Sequence, residues 1–342
     1  MVTIRDVAKR AGVAPITVSR VINKTGYVSD ETRERVETAI AELHYIPNSL
    51  SQSLRFKKTN TLALIVSDIT NPFWTTVTRG VEDASSEDDL SVILCNTDEQ
   101  QDKLESYVNL LLQRQTDGFL LVPISRDSGL IQRIQRRGVP VVVLDRPVPG
   151  SGADSVYGDS EGGAYALVRY LLDLGHRRIG LLTGPLKIAT SERRLKGYQR
   201  ALTEFGIPAD PGLILAGEFK QTSGYEMVQR MLRTVNPLPT ALFAANNLIA
   251  VGAMQALHEY GARVPDDISL VTFDDLPLFL GAPFLTLAAQ APYELGWTAA
   301  KRLIAHLKGE ADDAPKDIVL PVQLMIRASS APPRREERIM QS

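Results

Sequence analysis

The chain has 342 residues, long enough for two or three domains that each bury their own core. Its hydrophobic fraction of 44% and charged fraction of 23% are typical of globular proteins, and the single cysteine, Cys95, excludes an internal disulfide and a cysteine-rich zinc site. No apolar run is long enough to span a bilayer and none at the N-terminus resembles a secretory signal, so we expect a cytoplasmic protein.

The net charge of −2 is unevenly distributed. Residues 1–58 contain ten Lys and Arg against six Asp and Glu, a net charge of +4, whereas the other residues contain 28 against 34, a net charge of −6. A basic segment attached to an acidic body is typical of a protein in which one small module contacts phosphate.

The first 23 residues predict two short helices around a tight turn. Thr3 and Asp6 have the spacing of a helix-capping pair, Gly12 suits a left-handed residue after the first helix, and Pro15 suits the first turn of the second. The inward-facing apolar residues are Ile4, Val7, Ala8 and Ala11, then Val18, Val21 and Ile22. Two such helices predict a helix-turn-helix that enters a DNA major groove; the alternative is a helical hairpin with a solvated polar face.

The basic segment continues to residue 58. Ser29 is expected to cap a third helix, which Pro47 ends. Residues 48–55 are then a polar, weakly helical octet, too short to be stable in water unless something docks onto it, and residues 57–60 are expected to be a linker.

Four motifs carry a resemblance to a known family. They are T-I-R-D-V-A-K-R-A-G-V at 3–13, T-V-S-R-V-I-N at 17–23, V-S-D-E-T-R-E-R-V at 28–36, and the Y-I-P-N segment that leads from Tyr45 to Leu54. At these spacings the segment resembles the DNA-binding head of the lactose-repressor/galactose-repressor family of bacterial transcription regulators, and the similarity continues to about residue 330.

The resemblance implies a role for individual residues of the head. Pro15, Ile16 and Arg20 fall on positions that read bases; we expect the first two to contact thymine methyls and Arg20 to pair with guanine. Contacts to the DNA backbone are implied for Thr3, Thr17, Ser19, Asn23 and Tyr27. The octet resembles a hinge helix that folds on DNA, with Leu54 wedged into the minor groove and with Asn48 and Arg55 as further contacts.

The body predicts α/β architecture. Apolar runs alternate with amphipathic helices, which implies doubly wound sheets. The expected strands are 62–67, 91–96, 118–123 and 140–145, followed by 178–184, 240–246 and 268–274; the expected helices include 164–174, 193–205, 249–260 and 295–308. Two such series predict two similar subdomains with a cleft between them, and the resemblance implies a body like the periplasmic sugar-binding proteins.

The expected domain boundaries follow from these assignments. A helix-turn-helix domain spans residues 1–46, a hinge helix and linker spans 47–59, and an effector-binding and dimerisation domain spans 60–330. Its N-subdomain is expected at about 60–158 and 290–318 and its C-subdomain at about 159–289 and 319–330, with a tail at 331–342.

Polar residues follow five of the predicted strands. They are Asp68, Asn96, Asp145, Asn246 and Asp274. Ligands bind at the carboxyl ends of strands in open α/β sheets, although any one of these residues could instead be a turn former. Phe73 and Phe219 lie near strand ends and offer flat apolar faces. Carboxylates, amides and an aromatic platform together suit a sugar.

The resemblance assigns the cleft in more detail. It implies polar effector contacts from Arg194, Asn246 and Asp274, a stacking position at Phe219 and a rim position at Gln290, with Asp68, Asn71 and Phe73 as the near wall. Asn247 stands where the family usually has Asp. Arg194 could instead be a structural partner of Asp274.

Alternatives from other classes remain open. Residues 158–162 match the G-x-S-x-G pattern of a serine hydrolase around Ser160, but no H-G-G-G segment or catalytic histidine accompanies it. No nucleotide-binding glycine motif opens a helix, which leaves nucleotide-cofactor chemistry without support. We also expect no cofactor, no metal and no enzymatic activity. The tail lacks leucine heptads, which favours a homodimer. The sequence thus predicts a repressor that binds palindromic operator DNA and is controlled by a carbohydrate effector; a purine-type co-repressor and a plain sugar-binding receptor are the alternatives.

Overall fold

The computed structural model describes residues 2–46, 58–276, 283–312 and 314–334. The chain divides into two units, Met1–Thr59 and Asn60–Ser342, here called the head and the body. No helix of the described residues is long and apolar enough to cross a bilayer.

The described part of the head is a bundle of three helices: α1 (Ile4–Ala11), α2 (Pro15–Ile22) and α3 (Asp30–Glu42). The Asp6 carboxylate accepts hydrogen bonds from the backbone N–H of Thr3 at 2.8 Å and from its hydroxyl at 2.7 Å, which stabilises the start of α1. Gly12 ends α1 with a φ of 66°, as the sequence predicts. The core consists of small and β-branched side chains: Val7, Ala8, Ala11, Val18, Val21, Val36 and Ala39.

Ser29 differs from the expectation. It occupies the position before α3, but its side chain accepts no capping hydrogen bond. The hydroxyl instead donates to Thr32 Oγ1 at 2.9 Å. The first acids of α3, Asp30 and Glu31, remain favourably placed against the helix dipole.

The body contains two six-stranded sheets. In chain order the strands are β1 (Thr61–Val66), β2 (Ser91–Asn96), β3 (Gly118–Leu121), β4 (Val141–Leu144), β5 (Asp154–Gly158), β6 (Ile179–Thr183), β7 (Ile214–Ala216), β8 (Ala241–Ala244), β9 (Ser269–Phe273), β10 (Thr286–Ala289), β11 (Asp317–Leu320) and β12 (Gln323–Met325). The first sheet has the order β11-β5-β4-β3-β1-β2 and the second β12-β10-β9-β8-β6-β7. Only the β10–β12 pairing is antiparallel among the described strands.

Helices cover both faces of each sheet. They are α4 (Pro72–Ser86), α5 (Gln101–Gln113), α6 (Gly129–Gln135), α7 (Ser160–Asp173), α8 (Ala189–Glu204), α9 (Gln221–Thr234), α10 (Asn247–Tyr260) and α11 (Pro292–Lys308). Helices α4, α5, α6 and α11 pack with the first sheet to form lobe 1, and α7 to α10 pack with the second to form lobe 2. Each lobe therefore has two apolar cores, one on either side of its sheet.

The chain passes between the lobes at three places. These crossings follow β5, β10 and β11. Because β11 pairs with β5 through Leu320, the third crossing lies slightly later than the boundary at 318 that the sequence suggested. The carboxyl ends of the parallel strands in both lobes face the space between the two lobes.

The predicted strands and helices are present, with shifted ends. Helix α7 begins at Ser160 rather than at Ala164, because the Asp159 side chain accepts a hydrogen bond from the Gly162 N–H at 2.8 Å and so stabilises a polar first turn. Helix α8 likewise begins at Ala189 rather than at Arg193. Apolar periodicity marks the buried face of a helix and does not extend into a polar first turn.

Candidate functional site

A cavity of about 280 Å³ lies between the two lobes. All nine effector residues named from the sequence line it: Asp68, Asn71, Phe73, Asp145, Arg194, Phe219, Asn246, Asp274 and Gln290. They come from loops after parallel strands, from the first turns of helices and from one crossing. The structure thus brings together residues that are more than 200 positions apart in the chain.

Of the five polar strand-end residues named from the sequence, Asn96 alone does not line this cavity. Its Oδ1 accepts a hydrogen bond from the Ile69 N–H at 3.0 Å, and its Nδ2 donates to Asp98 at 2.7 Å. The grouping of Asn96 with the ligand residues was therefore wrong. Its amide instead joins the loops that follow β1 and β2.

Asp274 is a buried carboxylate at the floor of the cavity, only 8% exposed. Gln290 Nε2 donates to its two oxygens at 3.1 and 2.9 Å, and Arg194 Nη2 lies 4.0 Å from Oδ2. Burial raises the pKa of Asp274 to about 6, although Arg194 and Gln290 both favour the ionised form. Desolvation thus outweighs the neighbouring positive charge.

Arg194 lies across the cavity floor from the start of α8. One of its terminal nitrogens donates to the Ala245 carbonyl oxygen, and the guanidinium carbon lies 3.9 Å from the centre of the Phe273 ring. Its Nε is buried without a hydrogen-bond partner among the described residues. Burial lowers the pKa of Arg194, while the carboxylates Asp274 and Asp145 oppose that shift. Arg194 is thus both an ion-pair partner of Asp274 and a wall of the cavity.

Arg146 is a cavity residue that the sequence reasoning missed. It forms a bidentate ion pair with Glu99, at 2.7 and 2.6 Å, and also donates to the Pro123 carbonyl oxygen at 3.1 Å. Burial disfavours its charge, but Glu99 and Asp145 raise the pKa of Arg146 above its usual value. Neighbouring Asp145 has a raised pKa because of its own burial. The guanidinium of Arg146 therefore makes more hydrogen bonds than that of Arg194.

Aromatic side chains form two walls of the cavity. Phe73 lies in the first turn of α4 and packs edge to face against Trp74, with 5.0 Å between ring centres. Phe219 packs against Gly184, where a methyl group would come within 2.5 Å of the ring, so no larger residue fits there. The cavity therefore combines apolar faces with ionised and amide groups.

The described DNA-binding candidates lie on or near the surface of the head. Thr3, Pro15, Ile16, Arg20 and Tyr27 are exposed, with Ile16 at 56% and Tyr27 at 91%, whereas Thr17, Ser19 and Asn23 are partly buried. Helix α2 begins at Pro15 after Ala14, which has no capping side chain. Asn48, Leu54 and Arg55 lie outside the described residues.

Ser160 does not have the surroundings of a hydrolase nucleophile. It is 2% exposed and begins α7. Among the described residues, His176 contacts Thr240 and the Ala331 carbonyl oxygen, and His306 contacts Asp154. Neither histidine hydrogen bonds to Ser160 within the described residues, so these contacts do not supply the Ser-His pair that a hydrolase needs.

Known proteins match both units. Residues 3–48 match the family described as bacterial regulatory proteins, lacI family, and residues 59–328 match the periplasmic binding proteins and sugar binding domain of the LacI family. A transcriptional repressor, PurR, of Aliivibrio salmonicida is 34% identical over 90% of this chain and 93% of its own.

Solved structures are similar over both units. A lac repressor dimer bound to operator and the anti-inducer ONPF has a TM-score of 0.84 at 32% identity, covering 96% of this chain and 99% of that one. The complex of the regulator CelR with cellobiose has a TM-score of 0.73 at 34% identity, covering 96% and 100%. These matches cover the head and the body, and the chain belongs to the LacI family of DNA-binding transcriptional regulators.

Proposed function

We propose that the chain is a repressor that binds a palindromic operator as a homodimer. Its affinity for the operator falls or rises when a small effector, a sugar or sugar derivative, occupies the cavity. The observation that carries this proposal is the convergence of nine expected effector residues on one cavity between the lobes. A two-fold protein matches a two-fold operator, which favours the dimer.

The chemistry of the cavity favours a neutral polyol. Six carboxylates line it against four basic groups; the carboxylates are Asp68, Asp98, Glu99, Asp145, Glu218 and Asp274, and the basic groups are Arg146, Lys187, Arg194 and Lys220. A surplus of negative charge disfavours phosphorylated ligands. Carboxylates accept hydrogen bonds from hydroxyl groups, amides both accept and donate them, and the faces of Phe73 and Phe219 suit a sugar ring. The similar CelR structure holds cellobiose.

The head supplies the operator contacts in this proposal. Ile16 and Pro15 meet thymine methyls, Arg20 pairs with guanine, and Thr3 and Tyr27 contact the DNA backbone. Thr17, Ser19 and Asn23 are further backbone contacts. In the hinge segment at 47–59, Leu54 enters the minor groove, and Asn48 and Arg55 are further DNA contacts. An operator-binding role supports a cytoplasmic location for the protein.

A purine co-repressor is the second candidate ligand. Relatives described as PurR repressors favour it, since one is 34% identical over 90% of the chain. Flat aromatic walls also suit a base. A purine offers no row of hydroxyl groups to the carboxylates Asp145 and Asp274, which is why the sugar is preferred.

A thermal-shift screen of the full chain tests the ligand class. Neutral mono- and disaccharides, sugar acids and purines form its three arms. The proposal expects stabilisation by a member of the neutral sugar arm, and the same compound should change the affinity for a selected palindromic duplex. Stabilisation by purines alone would establish the second candidate. No stabilisation in any arm would contradict an effector function for the cavity.

A further inference from the structure

Two buried asparagines join the lobes beside the cavity. Asn71 precedes α4 in lobe 1 and Asn247 begins α10 in lobe 2, and their exposed fractions are 7% and 0%. The Nδ2 of each donates to the Oδ1 of the other at 3.0 Å. The two side chains therefore form a closed ring of two hydrogen bonds between the lobes.

Backbone groups fix the orientation of both amides. The Phe73 N–H donates to Asn71 Oδ1 at 3.0 Å, and the Leu248 N–H donates to Asn247 Oδ1 at 2.8 Å. Asn247 Nδ2 also donates to the Asp275 carbonyl oxygen at 3.1 Å. Turning either amide over would place like groups together, so each amide is held ready for the other lobe.

We propose that the Asn71–Asn247 pair is an interlobe latch that holds the cleft closed and thereby sets the affinity of the effector site. Asn247 does not line the cavity, whereas Asn71 and the adjacent Phe73 do. Asn247 is thus a positioning residue that acts through Asn71. The effect of the latch on ligand affinity rests on the proposed effector function, whereas its effect on closure of the cleft does not.

The latch biases an equilibrium between a closed and an open cleft. When the lobes part, both side chains lose their partners, while the caps on Phe73 and Leu248 can persist within each lobe. A latch that favours the closed form also raises the apparent affinity of a ligand that binds that form, because less binding energy is needed for closure.

The asparagine at 247 matters because a carboxylate there would lack a donor. An Asn247→Asp side chain still accepts from Asn71 Nδ2 and Leu248 N–H, but it loses its donations to Asn71 Oδ1 and to the Asp275 carbonyl oxygen. Asn71→Asp likewise keeps the Phe73 cap and can accept from Asn247 Nδ2. In the double variant neither side donates, and two carboxylates face each other.

The test measures the distance between the lobes in the full chain, with no effector and no DNA. Spin labels are attached at Ser106→Cys on α5 and Thr222→Cys on α9, both exposed, in a Cys95→Ala background. Labelled chains are diluted with unlabelled protein so that only distances within one chain are seen. The matched control is Asn109→Asp, which adds the same charge at an exposed position of α5.

The latch predicts a single short distance for the parent protein and for Asn109→Asp. Each single latch variant should lower the closed-to-open ratio about fivefold, and the double variant should lower it by more than the product of the two. Circular dichroism confirms that each variant is folded. If the double variant does not fold, the two single variants are enough to test the inference. Equal distance distributions for the parent and a folded latch variant would overturn the inference. Neither result depends on whether an effector or an operator is ever found.

Discussion

Asp145 and Asp274 occupy equivalent positions in the two lobes. Asp145 follows β4 and Asp274 follows β9, and their φ angles are 63° and 64°. The Asp145 N–H donates to the Val156 carbonyl oxygen at 2.8 Å, and the Asp274 N–H donates to the Ala288 carbonyl oxygen at 3.0 Å. The same left-handed strand end is thus present twice, and it places one carboxylate from each lobe in the cavity.

Both carboxylates are buried, and burial raises the pKa of each. They face Arg146 and Arg194, so each lobe contributes an acid and a base to the cavity. A site built from two half-sites binds its ligand fully only when the lobes are together, which links ligand binding to closure.

The first prediction concerns the pH dependence of stability. Asp274 has a pKa of about 6 in the folded protein, against an ordinary value of 3.8 for an aspartate carboxyl. The folded state therefore binds the proton more tightly, and the stability from that proton is present below 3.8 and is lost as the pH rises through 6. The amide side chain of an Asp274→Asn variant does not titrate, so this variant lacks that pH-dependent loss of stability. From pH 4 to pH 7 the free energy of unfolding of this variant should rise relative to wild type by about 2 kcal/mol. Parallel denaturant titrations across this range check the difference, and a constant offset would contradict the assignment.

The second prediction concerns Arg194. Arg194→Lys keeps a positive charge but loses the planar group that packs on Phe273 and donates to Ala245. We expect about tenfold weaker binding of the sugar found in the screen, measured by calorimetry, with unchanged operator affinity in its absence. The adjacent Arg193→Lys is the matched control, because Arg193 packs on Tyr157 outside the cavity and should leave sugar binding intact. Equal losses in the two variants would argue against a ligand contact by Arg194.

The third prediction concerns the exposed Ile16. If its side chain meets a thymine methyl, replacing that thymine by uracil should weaken operator binding about fourfold, the value of one buried methyl group. Ile16→Ala should weaken binding to the thymine duplex and remove the effect of uracil. Fluorescence anisotropy with four protein and duplex combinations measures this coupling. Independent, additive losses would show that Ile16 does not read the methyl group.

The strand-end rule predicted part of the cavity for a clear physical reason, whereas Asn71, Arg194 and Gln290 were assigned from the family resemblance. Parallel strands place the residues that follow them at one edge, so the polar residues after β4, β8 and β9 converge without knowledge of side-chain packing. Asn96 shows the limit of that rule. Its position was predicted, but the direction of its side chain depends on the Ile69 N–H, which belongs to another loop.

Contacts between distant segments were not predictable. Arg146 and Glu99 are 47 residues apart, and Asn71 and Asn247 are 176 residues apart. No periodicity or spacing connects such pairs, since they meet only after each lobe has folded and the two lobes have packed. The departure from Asp to Asn at 247 was visible in the sequence, whereas its partner Asn71 was not.

The most direct test of the central claim is the affinity of the full chain for its selected palindromic duplex, measured against salt concentration with and without the sugar found in the screen. The account predicts sequence-selective binding that weakens steeply with salt, and an affinity that the sugar changes by at least about fivefold through coupling of the two sites. Binding that is equally strong to unrelated duplexes, or that the sugar leaves unchanged, would contradict it.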